Sequence, residues 1–420
     1  MGNNSHKPAI RFQGFTDAWE QRRVGDVITE VARPIDMKDD QEYQLVTVKR
    51  HNEGIVSRGY FYGRDILVKN YYELQSGDYL ISKRQLVHGA NGLVPKNLNK
   101  SIVSNEYMTC IGNEYLTSEF LTLLSKTKKL KRDFFLSSYG VDIEKLVFDV
   151  NDWKKRSIII PTLLEQSKIC RFFEKLDNII TLHQRKYEKL ITVKKSMLDK
   201  MFPRDGSNNP EIRFIGFTDP WEQRKLGDVA SSFEYGLNAA AKEFDGVNKY
   251  LRITDIDDTS RIFKDDDLTS PDVDLSSADN YQLHEGDILF ARTGASVGKS
   301  YIYRKSDGLV YFAGFLIRAK IRSEYDSEFI FQNTLGTSYE KYVQVTSQRS
   351  GQPGVNAQEY SEYSLLVPSS AEQKKIGGFL RQLDNLITLH QRKFERIRPV
   401  FAFSEGWRYS DLRGFFQRHG

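Results

Sequence analysis

An α+β fold is the class this sequence predicts: two similar domains and two long coiled-coil-like helices, related by an internal pseudo-two-fold repeat. Three observations predict it. Residues 10–27, IRFQGFTDAWEQRRVGDV, return as residues 212–229, IRFIGFTDPWEQRKLGDV, with 14 of 18 positions identical. Residues 165–188 return as residues 372–395, with 16 of 24 positions identical. The stretches between these blocks are not repeated at that level, and they carry short β-type runs broken by Gly, Asn and Asp. A frame that is held while two inserts vary presents two different surfaces on one scaffold.

The second block supplies the helices. Ile169, Leu176, His183, Leu190 and Met197 recur every seven residues, with Phe173, Ile180 and Tyr187 on a companion row. In the second copy Ile376, Leu383, His390 and Ile397 form one row, and Leu380, Ile387 and Phe394 the other. A helix over residues 165–202 would be about 57 Å long, which calls for a partner, and the second copy provides one. His183 and His390 are equivalent, so a paired seam role is expected for them rather than catalysis. Pro161 and Pro368 mark strand-to-helix junctions, with Ser369 or Ser370 as N-cap.

The domain boundaries follow. Residues 1–164 form the first domain, 165–202 the first helix, and 203–211 (PRDGSNNPE) a connector rich in turn formers. Residues 212–371 form the second domain, 372–398 a shortened second helix, and 399–420 a divergent tail, because Pro399 should stop or kink the helix. The inserts contain strand-like YQLVTV, DYLIS, DILFAR, KSYIYR and FLIRAKI, and a helical patch near residues 118–135 or 327–343. SGDYLISKR (76–84) and EGDILFART (285–293) fall at equivalent places, which points to an ancient duplication.

Composition narrows the class. At 420 residues and 39 % hydrophobic content each half can bury a core. No run approaches the roughly 18 apolar residues of a membrane span, and MGNNSHKPAIRF lacks an apolar signal region, so a cytoplasmic protein is expected. Cys110 and Cys170 are too few for a metal cluster and read as packing residues. A net charge of +5 does not by itself identify a polyanion-binding protein. Residues 151–203, however, hold 12 Lys and Arg against 6 Asp and Glu, which suits either a solvated helix face or a phosphate-facing surface.

Three loops carry side chains suited to nucleic acid. RTGASVGKS (292–300) has one residue too few between its glycines for a nucleotide loop, and strand rather than helix follows it. It reads as a Gly-rich turn projecting Arg292, Thr293 and Lys299, or as an ordinary hairpin with exposed basic residues. SQRSGQPGVN (347–356) offers Gln348, Arg349 and Gln352, the residue types that read guanine and adenine edges. In the first half, Lys83, Arg84 and Gln85, with Lys96 and Lys100 beyond them, occupy the corresponding stretch. A plain surface loop is the competing reading for both. Enzyme signatures are missing: no dinucleotide fingerprint, zinc-spaced His and Cys, or nucleophile elbow occurs. Asp265, Asp266 and Asp267 read as a solvated loop rather than a nuclease cluster. No catalytic or metal-ligating residue is assigned.

Taken together, the paired GFTDxWEQRxxGDV block, the strand-Pro-xx-EQxxI junction and the LDNxITLHQRKxE helix resemble the specificity subunit of type I restriction-modification enzymes. The resemblance covers nearly the whole chain. It implies two target-recognition domains separated by two long helices packed antiparallel, each domain reading one half of a bipartite, asymmetric sequence in double-stranded DNA. It also implies a non-catalytic chain that binds no cofactor itself. Its partners would be two methyltransferase subunits, which use S-adenosylmethionine, and two restriction subunits, which use ATP and Mg2+. The helix pair would then act as a ruler between two base-reading surfaces. The match breaks at the tail, RIRPVFAFSEGWRYSDLRGFFQRHG, either a frame-shifted end or a variant whose aromatics repack. The alternative function is therefore a regulatory or inactive DNA-binding remnant that no longer assembles.

Overall fold

The computed structural model describes residues 7–8, 10–204, 206–348 and 353–401, with Phe394 and residues 396–401 as helical backbone only. Two compact units result, one built on the chain up to Leu182 and one spanning His183–Lys393. The division falls inside the first long helix, not at the connector read from the sequence. Residues 203–211 belong to the second unit, where Ile212 N–H donates to Lys200 O at 2.9 Å and Trp221 N–H to Asn208 O at 2.9 Å.

Each unit is centred on a four-stranded antiparallel sheet of the same order. In the first unit the strands run Ile28–Glu30, Tyr107–Gly112, Tyr79–Ser82, Asn91–Leu93 across the sheet. In the second they run Ala230–Tyr235, Leu316–Ile321, Ile288–Ala291, Ser300–Ile302. The stretches at 76–84 and 285–293 thus supply the same central strand. The central strands are buried along their whole length, as Tyr79–Ser82 and Ile288–Ala291 show, because other elements pack on both faces. Each helical patch is two helices, not one: Ser118–Leu124 and Lys128–Leu136, then Ser327–Asn333 and Thr337–Thr346. Three of the four begin on a side-chain cap, Thr117, Thr127 and Asp326, which satisfies a backbone N–H that the helix leaves unpaired.

Why both sequence blocks repeat is now visible. Glu20–Arg23 pairs antiparallel with Ser157–Ile160, the strand that leads into the first long helix, and Glu222–Lys225 pairs likewise with Ser364–Val367. Arg11 forms a two-pronged ion pair with Glu165, both contacts at 2.7 Å, and Arg213 repeats it on Glu372 at 2.7 and 2.8 Å. The neighbouring glutamines clasp backbone. Gln166 Nε2 donates to Pro161 O (2.9 Å) and Tyr115 O (2.7 Å), and its Oε1 accepts from Thr117 N–H (3.0 Å). Gln373 Nε2 donates to Pro368 O (2.8 Å), and its Oε1 accepts from Asp326 N–H (3.0 Å). The Glu-Gln dipeptide therefore locks helix, entering strand and insert together.

The first long helix is Leu163–Met201, 39 residues or about 58 Å of rise, and the second is Ser370–Phe401. The latter continues three residues beyond the expected end at Arg398. Pro399 lies within its last turn, so the i→i−4 hydrogen bond its missing N–H removes is lost only at the helix end. Ile376, Leu380, Leu383 and Ile387 are buried in the second unit, and Leu190 packs against the same core. Ile169, Phe173, Leu176, Ile180, His183, Tyr187 and His390 are half-buried on their helices, and the Phe394 side chain lies outside the described residues. Gly377 has a packing reason: a Cβ there would meet Asp326 Oδ1 at 2.5 Å and Phe329 N at 2.8 Å, so the helix passes close to a helix start of the insert.

His183 and His390 meet through their Nδ1 atoms at 2.8 Å. Such a bond requires one ring to be neutral at Nδ1. Burial lowers the affinity of both rings for a proton; His390 and the flanking Lys393 and Lys186 add to this for His183, and the two lysines do so for His390. A histidine whose folded pKa lies below its ordinary 6.5 contributes no penalty at higher pH and loses stability as pH falls through 6.5. The urea midpoint of the second unit is expected to drop between pH 7.5 and 5.5, and H390L is expected to flatten that drop; an equal slope in both proteins would refute the coupling.

Candidate nucleic-acid interface

The turn after the central strand occupies the same place in both units. In the first it runs from Lys83 to Ala90, in the second from Arg292 to Lys299, and Gly89 (φ +77°) and Gly298 (φ +83°) take the left-handed backbone that closes each one. The following loop is stitched to it the same way: Phe148 N–H donates to Lys83 O at 2.8 Å, and Val355 N–H to Arg292 O at 2.9 Å. In the second unit Gly294 N–H also donates to Pro353 O at 3.1 Å. Two loops some 60 residues apart in the sequence thus form one surface.

Tyrosines hold the second-unit turn from behind. Tyr360 Oη donates to Ala291 O (2.7 Å) and accepts from Gly298 N–H (3.1 Å), while Tyr339 Oη donates to Gly298 O (3.0 Å). Tyr360 stacks on Phe290 with centroids 4.8 Å apart. Burial pushes both phenols above their ordinary pKa, so they remain neutral donors. A strand, Ser300–Ile302, and not a helix follows the turn, as the residues after it predict.

The individual side chains are placed as follows. Arg292 lies over the Tyr235 ring at 5.1 Å, and Thr293 bridges to Gly354. Lys299 does not project outward: it is 8 % exposed, donates to Ile256 O at 3.2 Å and pairs with Asp258, so it braces the turn instead of reaching for a groove. Lys83 Nζ donates to Asn105 O (2.9 Å), and Arg84 pairs with Glu106 (2.5 Å). Gln85 keeps a buried Oε1 with no partner. Lys96 and Lys100 are exposed, as is Gln348. Arg349 and Gln352 lie outside the described residues. Asp265, Asp266 and Asp267 are exposed, and among the described residues no group of three or more His, Cys, Asp or Glu is placed to hold a metal ion. Burial pushes the Cys110 thiol up to about 12 and Cys170 to about 11, so neither is a reactive thiolate.

Two features went unread in the sequence. The edge strand Ile55–Tyr62 exposes Tyr60 (61 %) and Tyr62 (42 %), with Arg64 over the Tyr62 ring at 4.6 Å and Arg58 exposed beside them. The interleaved basic and aromatic residues of SRGYFYGR were a legible signal for this surface. The second is Arg261, held at φ +58° and lining a cavity of about 740 Å³ within the second unit, for which the sequence carries no signal.

Among the described residues no helix is long and apolar enough to cross a membrane. The family model for the type I restriction modification DNA specificity domain matches residues 16–192 and again 218–398. A specificity subunit of the type I restriction enzyme MjaVIII from Methanocaldococcus jannaschii is 25 % identical over 398 residues, covering 91 % of this chain and 90 % of its own. In fold, the chain is similar to the type I restriction-modification S subunit of M. genitalium, with a TM-score of 0.56, 12 % identity, and coverage of 94 % and 98 %. It also aligns with the HsdS subunit of Thermoanaerobacter tengcongensis at a TM-score of 0.45, 16 % identity, and coverage of 91 % and 94 %. Two matched copies, each built on a four-stranded sheet of the same order with a braced turn after its central strand and a long helix, mean that this chain belongs to the type I restriction-modification DNA specificity family.

Proposed function

We propose that each unit reads one half of a bipartite, asymmetric DNA target, and that the chain brings this specificity to separate methyltransferase and restriction subunits. As a DNA specificity subunit, the chain selects sequence. The observation that supports two different half-sites is the shared turn: the same position in the same sheet order carries Lys83, Arg84 and Gln85 in one unit and Arg292, Thr293 and Gly294 in the other. Different donors at equivalent places read different base edges. Phosphate contacts from lysines and arginines supply affinity, and base-edge contacts supply discrimination of about 1–3 kcal/mol for each good bidentate pair. S-adenosylmethionine, ATP and Mg2+ are assigned to the partner subunits, which perform the chemistry, and the site of assembly is the cytoplasm.

The test is co-expression with a cognate methyltransferase subunit and mapping of N6-methyladenine across the host genome. A two-part, non-palindromic methylated motif is expected. Exchanging residues 230–371 for the insert of another such chain should change one half of that motif and leave the other. An unchanged motif would overturn the assignment of reading to the inserts.

A further inference from the structure

We propose that the cavity of the second unit is a binding site for a phosphate group, with the backbone of the DNA duplex as its source; that source, though not the site, rests on the DNA reading above. The cavity measures about 740 Å³ and is walled by the first long helix at Lys194 and Lys195, the turn at residues 258–261, the Gly-rich turn at 295–299 and the helix that contains Tyr339. Four cations and three carboxylates line it. Lys194 is taken by Asp384 at 2.5 Å, and Lys299 by Asp258. Lys195 and Arg261 have no ion-pair partner among the described residues, and Glu340 is the one lining carboxylate without a cation of its own. The unspent charge of the cavity is therefore positive.

Arg261 is placed with some effort. Asp257 Oδ1 accepts from Thr259 N–H (3.0 Å), Ser260 N–H (2.8 Å) and Ser260 Oγ (2.8 Å), and Arg261 N–H closes the turn on Asp257 O (3.1 Å). The turn leaves Arg261 at φ +58°, a conformation ordinarily given to Gly, Asn or Asp. Its guanidinium is half-buried, and burial lowers its pKa, partly offset by Tyr339, Asp258 and Glu340. A half-buried cation that feels nearby carboxylates but closes an ion pair with none of them among the described residues has its donors open to an anion from outside. Arg261 and Thr259 on one turn, Lys195 on the first long helix and Ser296 on the Gly-rich turn line the cavity from three walls, and a guanidinium, an ammonium and two hydroxyls are donor types that suit the several oxygens of a phosphate.

The test uses the full chain with R261G and K195Q. Glycine is at home at φ +58°, so R261G keeps the fold, and Lys195 lies on an exposed helix position. Binding to a duplex of about 30 base pairs is measured by anisotropy between about 50 and 300 mM salt, where each lost phosphate contact is expected to lower the slope of log affinity against log salt by about 0.9. In parallel, inorganic phosphate is titrated at fixed ionic strength and Tm recorded. A reduced salt slope in both variants establishes the duplex backbone as the source. An unchanged slope together with loss of a phosphate-dependent rise in Tm keeps the site and overturns the duplex as its source. Unchanged behaviour in both measurements, in both folded variants, overturns the site itself. If the wild-type chain binds no duplex, the DNA reading fails, while the phosphate titration still decides whether the cavity takes the group.

Discussion

Glu372→Ala is expected to destabilise the second unit by about 3–5 kcal/mol, because it strands a charge that the fold has already desolvated. Glu372 is fully buried and Arg213 is 15 % exposed, so their two contacts at 2.7 and 2.8 Å form in a water-poor setting. Hydrogen bonding to Glu372 holds the Arg213 pKa above its ordinary value. After the substitution the guanidinium retains only Asp219 O (2.6 Å) and Asn209 Oδ1 (3.3 Å). Urea unfolding followed through the buried Trp221 reads the loss. Replacing both partners, as R213M with E372L, should recover most of it, since a buried pair is nearly matched by apolar groups of its size. A single substitution that costs under about 1 kcal/mol would show that the pair is not what joins the two repeated blocks.

Arg318→Met is expected to cost a similar amount, about 3–5 kcal/mol, in the insert itself. Arg318 lies in a strand of the central sheet and is 1 % exposed. It donates to Asn280 O and Gln282 O, both at 2.7 Å, contacts Asp287 at 3.4 Å, pairs with Glu234 and sits 4.9 Å from the Phe312 ring centre. Methionine keeps the stem and removes every donor, leaving two carbonyls unanswered and the buried Asp287 with the His284 N–H (2.9 Å) in place of a cation. Burial acts to raise the Glu234 pKa, but hydrogen bonds from Arg318, Ser232 and Lys320 hold it at about 2, against an ordinary 4.5. A carboxylate so depressed stabilises the fold above pH 4.5 and loses that contribution as pH falls toward 2. Asp287 runs the other way, because burial raises its pKa. Without Arg318 the cost of keeping Asp287 charged grows at neutral pH and is relieved by protonation. The stability gap between wild type and R318M should therefore narrow from pH 7 to pH 3.5 in urea unfolding, and a constant gap would refute the electrostatic account.

The frame was legible and the surface was not. The period-seven rows appear in the amino acids themselves, because helical spacing is a local property, and Ile376, Leu380, Leu383 and Ile387 are buried where that spacing put them. The strands at Glu42–Val48, Tyr79–Ser82, Ile288–Ala291 and Leu316–Ile321 were legible for the same reason. Lys299 was not. In sequence it is one more basic residue on a Gly-rich turn, and its burial depends on Ile256 and Asp258, some 40 residues away. Arg318 looks like the polar position of an alternating strand until elements on both faces of the sheet cover it. Nor does the Glu-Gln dipeptide announce that its glutamine caps backbone of the entering strand and the insert.

By itself, the sequence determined the doubled frame, the two long helices, the strands at the centre of each insert and the family to which they belong, all of which rest on local periodicity or on repetition. The tertiary structure alone decided which basic side chains are spent on structure and which remain available to a ligand. The physical reason is that a charge is satisfied by whatever the fold brings within about 4 Å of it, and for Lys299, Arg318 and Arg261 that neighbourhood comes from distant parts of the chain.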